Sequence, residues 1–417
     1  MSVIDDLKRH VLVDGFHVVA DLEKSNGSWI VDQETGKKYL DCYSQFASQA
    51  LGWNHPKLKE CNFQDVAQHK MANSDMYSDT YRQFVNTFST ITQDFGHYFF
   101  IDGGALAVEN ALKAAFDWKF QVEPGKSVHS DGQNLDIVHL REAFHGRSGY
   151  TMSLTNTGEL KTKWFPKFKW TRITNPKLFH PVVKGRVENL ESLSLQEAHR
   201  ALEKGNVAAI ILEPIQGEGG DNHFRKEYFQ ELRKLADMHN ALLIFDEVQT
   251  GLGLTGEMWA YKHFGVVPDI LVFGKKTQVC GIAATKRIDI VESNVFSVSG
   301  RINSTWGGNI VDMARAKKII EIIEEEELVE NAKRIGVEFL AALEMLPNSE
   351  VTNVRGRGLM IAFDLPNEKR RDEVYQKLSD KMMALKCGQK SIRFRPHLTF
   401  SSEDVQTARG FITEALA

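Results

Sequence analysis

Asp246 closes the run Ala241-Leu-Leu-Ile-Phe-Asp246, and Lys275 stands two residues beyond the run Asp269-Ile-Leu-Val-Phe273. Each run is short, apolar and bounded by polar or Gly residues, which reads as a strand buried on both faces with its functional group at the carboxyl end. Open α/β sheets bind ligands at that edge. A lysine there offers an amine to an aldehyde, and a carboxylate keeps a pyridine nitrogen protonated, so the pair suits pyridoxal phosphate. Asp246 follows an uncharged run and needs a cationic partner, which a protonated ring nitrogen would be. A helix cap or a surface ion pair is the plainer alternative. Lys275, near an apolar strand end and a cationic ring, has its ammonium form disfavoured, which favours imine chemistry. Lys276 is its neighbour, and spacing leaves open which of the two enters the site.

Further residues gather around this pair. Gln249 and Val248 follow Asp246, placed to bond a ring oxygen and to pack on a ring face. Phe99-Phe-Ile-Asp-Gly103-Gly104-Ala105-Leu-Ala-Val-Glu109 reads as a strand, a tight turn and a helix, so free N–H groups and the positive dipole end meet at Gly104 and Ala105 and make an anion cradle. In Phe144-His145-Gly146-Arg147 the aromatic is placed to stack and Arg147 to grip a carboxylate with two hydrogen bonds, while His145 has an ordinary loop role open to it. In Glu213-Pro-Ile-Gln216-Gly-Glu218-Gly-Gly-Asp221 the glycines permit close backbone approach and Glu218 is a candidate to face the ligand. Arg393 and Arg395 alternate with Phe394 and are expected to split between the faces of a strand, so that at most one reaches a given site.

These groups require a sheet with helices to hold them. Apolar runs at His97–Ile101, Asp136–Leu140, Val207–Leu212, Ala241–Phe245 and Ile270–Phe273 alternate with helical patterns at Ala105–Trp118, Lys226–Asn240 and Val311–Leu346. That alternation predicts an α/β fold with a mainly parallel sheet. Beyond residue 310, Arg355–Phe363, a helix near Glu373–Leu385 and the strand-like Ser391–Pro396 suggest a smaller α+β domain. Two short strands around Glu34-Thr-Gly36 are expected to pair with it. The resulting division is an N-terminal segment 1–50 belonging to the small domain, a large cofactor-binding domain 51–310 and a C-terminal small domain 311–417.

Composition excludes several classes. The 417 residues are 42% hydrophobic and 25% charged, with a net charge of −4 and dispersed Lys and Arg, so neither nucleic acid nor an acidic membrane is an expected partner. Cys42, Cys61, Cys280 and Cys387 are too scattered for a metal knuckle and suggest buried thiols in a reducing compartment. No 18 apolar residues run together, and charges interrupt the first ten positions, so a cytoplasmic protein is expected.

The stretch Asp246-Glu-Val-Gln-Thr-Gly-Leu-Gly-Leu-Thr-Gly-Glu-Met-Trp-Ala260, with Pro268-Asp, Phe273-Gly-Lys275 and Glu213-Pro-Ile-Gln-Gly-Glu-Gly-Gly220, resembles the class III, ω-type pyridoxal-phosphate aminotransferases over nearly the whole chain. Gly103-Gly-Ala-Leu-Ala-Val-Glu-Asn110, Phe144-His-Gly-Arg-Ser-Gly-Tyr-Thr151 and above all Phe273-Gly-Lys-Lys-Thr-Gln-Val-Cys-Gly281 are similar to the branch that acts on the terminal amine of L-lysine with 2-oxoglutarate as acceptor. Most class III relatives carry Gly-Gly where this chain has Cys280-Gly281. The resemblance implies a fold-type I homodimer with sites at the subunit interface. It assigns the aldehyde-bonding role to Lys275, the ring nitrogen to Asp246, the ring oxygen to Gln249, stacking to Phe144 and the phosphate to Gly104 and Ala105. Thr305, in the run that starts at Asn303, would reach that phosphate from the other subunit. It also places a second substrate arginine at Arg393, for the 2-oxoglutarate carboxylate nearest the cofactor. With lysine bound that arginine would be an unpaired buried charge, so a Glu218–Arg393 pair that opens and closes is expected. The same cofactor machinery would serve a 4-aminobutyrate or ornithine enzyme, or a catalytically idle cofactor-binding protein. A nucleotide-binding ATPase would need GxxxxGK[ST], but Lys276 follows Gly274-Lys275 and Asp269 stands where the first Gly belongs.

Overall fold

The structure, a computed structural model, describes residues 2–123, 134–346 and 349–417. Its strands are β1 (Trp29–Val31), β2 (Lys38–Asp41), β3 (His97–Ile101), β4 (Asp136–Leu140), β5 (Arg172–Ile173), β6 (Val207–Leu212), β7 (Leu242–Asp246), β8 (Ile270–Phe273), β9 (Cys280–Ala284), β10 (Thr352–Arg357), β11 (Met360–Asp364), β12 (Met382–Met383), β13 (Leu385–Cys387) and β14 (Ser391–Phe394). Seven form one sheet in the order β3-β9-β8-β7-β6-β4-β5. Its pairings are parallel except the two made by β9. This is the α/β architecture expected from the alternation of apolar runs and helices.

The central strands bury both faces, and the period of two decides which side chain goes where. Leu243, Phe245, Leu271 and Phe273 enter one apolar cluster, while Leu242, Ile244, Ile270 and Val272 enter the other. The helix Gly104–Val122 covers one side against β6, β8 and β9, and the helix Lys226–Met238 covers the other against β6 and β7. The latter buries Tyr228, Phe229, Leu232 and Ala236, an apolar stripe at helical spacing. Parallel register sets Asp246 opposite Val272, so the carboxyl ends of β7 and β8 emerge side by side. Asp246 and the turn carrying Lys275 therefore share one edge.

A second sheet, β10-β11-β14-β13, is built from the C-terminal part of the chain. The β1–β2 hairpin joins the C-terminal segment through parallel pairing of β2 with β12, Leu40 facing Met382. That is the pairing expected of the Glu-Thr-Gly hairpin.

Three element readings need correction. The long helix over 311–346 is two helices, Ile310–Glu325 and Leu328–Glu344, broken where Glu327 takes a φ of 51°. The acidic run Glu324–Glu327 opposes the negative helix end there, which disfavours continuation. The helix expected near 373–385 runs Glu368–Leu378, capped by Asn367, and the residues after it form β12 and β13. β9 was not foreseen as a strand; its small residues Gly281, Ala283 and Ala284 carry no β signal of their own.

Gly281 shows why small residues are needed. It is buried opposite Phe100 in the β3–β9 ladder, and a Cβ there would collide with the Phe99 carbonyl oxygen and lie 2.8 Å from Phe273 Cζ. Gly281→Ala is expected to destabilise the fold by ~1–3 kcal/mol, seen as a lower urea midpoint. A wild-type midpoint would show that the β3–β9 pair yields at no cost.

Candidate active site

A cavity of about 490 Å³ opens at the carboxyl edge of β7 and β8, and its walls include Gly104, Ala105, Phe144, Arg147, Glu218, Asp246, Val248, Gln249 and Lys275. A larger space of about 690 Å³ shares Lys275 and Gln278 with it but lacks Asp246 and the Gly104 turn. The chemistry therefore belongs to the smaller one.

Lys275 follows Gly274 in a short turn and has a φ of 55°, a left-handed conformation that lysine rarely adopts. Its Nζ has no partner among the described residues. Burial first, and then the positive charge of Arg393, lower its pKa to about 8. Lys276 points elsewhere: its Nζ donates to the carbonyls of Ala47 (2.8 Å) and Gln249 (3.2 Å), and it is 2% exposed. Geometry thus separates the two lysines that spacing could not.

Asp246 is buried at the end of β7. Its Oδ2 lies 2.8 Å from His145 Nδ1, and its Oδ1 accepts the Val248 N–H at 3.1 Å. His145 is therefore more than a loop residue, because it orients the carboxylate. Glu213 stands behind the same loop, accepting the backbone N–H groups of Phe144 and Gly217, each at 3.0 Å. Burial raises its pKa to about 7. One carboxyl group thus ties the Phe144 loop to the Glu218 loop.

The residues expected to form the anion cradle sit at a helix terminus on the cavity wall. Gly103 precedes the helix Gly104–Val122 with a φ of 101°, and no side chain caps that end. Gly104 and Ala105 line the cavity at the start of this helix, where the first-turn N–H groups are left without intrahelical partners. Gly146, with a φ of 111°, packs against Ala105 so closely that a Cβ would not fit, which brings the Phe144–Arg147 loop onto the cradle.

The two arginines were expected to part company across a strand, and they do not. Residues two apart share a face, and both charges act on Lys275. Their partners differ. Arg395 is fully buried in a two-point ion pair with Asp221, and it also donates to Gln249 Oε1 from Nε at 3.2 Å and Nη2 at 3.0 Å. The Gln249 amide is thereby oriented with Nε2 free as a donor. Arg393 Nη2 donates to Glu218 Oε2 at 2.6 Å, while its buried Nε and Nη1 have no partner among the described residues. The expected Glu218–Arg393 contact is present in its closed form. Arg147 is exposed at the cavity and has no ion-pair partner among the described residues.

Asn303 and Thr305 are exposed and do not line this cavity of their own chain. Several residues that do matter carried no usable sequence signal. Glu213 was legible only as part of its motif, and Lys161, whose Nζ bonds Glu218 Oε1, belongs to no motif. Cys280 also lines the cavity.

A seven-stranded mixed sheet with a lysine, a buried carboxylate and a helix terminus converging at its carboxyl edge is the layout of a pyridoxal-phosphate-dependent transferase. The aminotransferase class-III family profile matches residues 12–416, and the chain belongs to that family. It is similar to the L-lysine-epsilon aminotransferase of Streptomyces clavuligerus, with 47% identity over 96% of this chain and 91% of that one. It is also similar to the solved lysine aminotransferase from M. tuberculosis in the internal aldimine form, at 47% identity and a TM-score of 0.95, covering 99% and 98% of the two chains. The human mitochondrial 4-aminobutyrate aminotransferase is 30% identical over 97% of this chain and 86% of its own length. The protein is an aminotransferase with pyridoxal phosphate as its cofactor. Its residues fit that group: Lys275 brings an unpaired amine, Asp246 a buried acceptor aimed into the cavity, and Gly104 and Ala105 a site for the phosphate.

The lowered Lys275 pKa has a definite sign. At pH 7 an amine of pKa about 8 is roughly one-tenth neutral, against about one part in three thousand for an ordinary lysine. Cofactor-free protein should therefore bond added pyridoxal phosphate faster as pH rises, levelling off above about pH 8. Stopped-flow absorbance of the cofactor reads this, and a rate still climbing at about pH 10 would contradict the lowered pKa.

Proposed function

We propose that this aminotransferase moves the ε-amino group of L-lysine to 2-oxoglutarate, giving 2-aminoadipate 6-semialdehyde, which cyclises onto its own α-amine, and L-glutamate. The observation that carries this reading is the closed pair between the buried Arg393 and Glu218, a carboxylate that lines the same cavity as the exposed Arg147. The greater identity to the lysine enzymes than to the 4-aminobutyrate enzyme supports it.

Pyridoxal phosphate, when bound, supplies an aldehyde for the amine and a protonated ring that takes up the electrons released at the substrate carbon. Asp246, held by His145, sets a carboxylate against the ring nitrogen and keeps its proton in place. Gln249 offers Nε2 to the ring oxygen because Arg395 occupies its Oε1. Phe144 and Val248 supply apolar faces for the ring, and Gly104 and Ala105 hold the phosphate with backbone N–H groups. With the cofactor bound, Lys275 Nζ would take the proton from the substrate carbon that bears the reacting nitrogen and deliver it to the cofactor's aldehyde-derived carbon. About one-tenth of this amine is neutral at pH 7, far more than for an ordinary lysine, so it can serve as a base without an outside partner.

Two substrates must share one site. L-lysine reacts at a CH₂–NH₂ end, whereas 2-oxoglutarate brings a carboxylate to the reacting carbon. Arg147 grips the carboxylate far from the cofactor in both cases. Arg393 receives the near carboxylate in the second half-reaction, and Glu218 neutralises it in the first. Burial alone would raise the Glu218 carboxyl, but the charges of Arg393 and Lys161 outweigh it and hold the group below its ordinary range, so it is a charged partner. Asn303 and Thr305, unused by their own cavity, are assigned to the phosphate site of a second protomer in a homodimer. A cytoplasmic setting suits the free Cys42, Cys61, Cys280 and Cys387.

With lysine carrying a heavy nitrogen isotope at the ε position, mass spectrometry should find the label in glutamate. Label arriving only from the α position would sink the reading. Glu218→Ala leaves Arg393 unpaired and should shift preference at least about tenfold toward donors with a near α-carboxylate, measured as the ratio of kcat/KM for L-glutamate and L-lysine. An unchanged ratio would remove Glu218 from the switch.

A further inference from the structure

Glu218 does not meet Arg393 alone. Lys161 Nζ bonds its Oε1 while Arg393 Nη2 bonds its Oε2 at 2.6 Å, so one carboxylate bridges two cations. The two are unlike in setting. Arg393 is 1% exposed on a strand, with Nε and Nη1 unpartnered among the described residues. Lys161 ends the short turn Glu159–Lys161, its side chain is 32% exposed, and its ammonium also lies 5.5 Å above the Phe144 ring.

Resting on the reading above, in which Glu218 leaves Arg393 whenever a substrate presents a near carboxylate, we propose that Lys161 is the partner that holds Glu218 while the pair is open. It is a positioning residue that sets the balance between the two half-reactions. A half-buried carboxylate stripped of its arginine would lose its charge compensation, and that cost would fall only on the half-reaction that opens the pair. Lys161 removes most of the cost, because it already bonds the other oxygen and its long stem can follow the carboxylate away from Arg393. A lysine suits this duty better than an arginine, since a rotatable ammonium keeps its bond over a range of carboxylate positions. The Phe144 ring face, 5.5 Å from the ammonium, gives it a second attraction besides Glu218. In the lysine half-reaction Glu218 stays on Arg393, and Lys161 contributes little.

The test uses the holoenzyme and Lys161→Met, which keeps the apolar stem and drops the charge. Each half-reaction is followed separately by the cofactor's absorbance, with L-lysine as the donor lacking a near carboxylate and L-glutamate and 2-oxoglutarate as the ligands that have one. We expect apparent Kd for glutamate and 2-oxoglutarate to rise about tenfold and that for lysine to change less than about twofold. Lys161→Arg should recover part of the loss. In a Glu218→Gln background Lys161→Met should change neither half-reaction, because the charge to be held is gone. Equal losses in both half-reactions, or the same loss in the Glu218→Gln background, overturn the proposal and give Lys161 to the far carboxylate or to folding. If the wild-type enzyme prefers another ω-amine, the lysine reading falls; the comparison repeated with that amine still decides the role of Lys161, since only the near carboxylate distinguishes the two arms.

Discussion

Asp246, Glu218 and Lys275 line one cavity at the carboxyl edge of the large sheet, and the buried Arg393 and the buried pair Asp221–Arg395 meet its walls at Glu218 and Gln249, so each charge must be answered by a neighbour. Most of the local structure follows from how that is done. Asp221 and Arg395 answer each other completely and are spent as structure, fixing the loop between β6 and the helix Lys226–Met238. Arg355 reinforces it by donating to the carbonyls of Gly220 and Asp221. Asp246 is met by the His145 ring and the Val248 N–H, with no lysine or arginine in ion-pair contact among the described residues. Lys275 feels the Asp246 charge but its Nζ has no hydrogen-bond or ion-pair contact among the described residues. The pair left incomplete by the protein is the pair that a cationic ring and an aldehyde would complete.

The sheet edge and its charged residues were legible because each rests on a local signal. β7 and β8 are short runs of Leu, Ile, Val and Phe ending in a polar group, and such strands leave few other readings. The Gly103 turn before a helix of good formers was equally local. What stayed hidden depends on distant parts of the chain. No spacing rule tells Lys275 from Lys276; the difference comes from the Ala47 and Gln249 carbonyls that capture the second ammonium. Lys161 meets Glu218 across 57 positions, from a turn without motif or periodicity. β9 owes its place to the space between β3 and β8 rather than to its own small residues. The misjudged arginines are a different matter, because period-two geometry alone puts Arg393 and Arg395 on one face.

The segment Ser44–Ala47 takes positive φ at four consecutive non-glycine residues, a left-handed turn that costs about 1–2 kcal/mol per residue. Asp41 holds its start by accepting the Tyr43 and Ser44 N–H groups at 2.9 and 2.7 Å, and Lys276 holds its end at the Ala47 carbonyl. Gln278 Nε2 adds a bond to the Ser48 carbonyl at 3.0 Å. The strained turn is thus fastened to the same short turn that bears Lys275. Lys276 also reaches the Gln249 carbonyl, so one buried ammonium joins the strained turn to the backbone of a cofactor-facing glutamine. Adjacent lysines divide the labour: one is left free for chemistry, and the other fixes the frame around it.

On the function proposed above, this division lets one rigid site accept two unlike substrates. Glu213 pins Phe144 and Gly217 by their backbones, Arg395 pins Gln249, and Arg355 pins the loop beyond Glu218. The backbone that carries Glu218 therefore has no need to move. Only its side chain has a choice, between an arginine on a strand and a lysine on a turn. Moving one carboxylate between two cations keeps the charge of the site balanced at every stage, whereas moving a loop would break several buried hydrogen bonds at about 1–3 kcal/mol each. A side-chain switch on a fixed frame is the cheaper solution, and Glu218 is the one carboxylate of this edge placed to perform it.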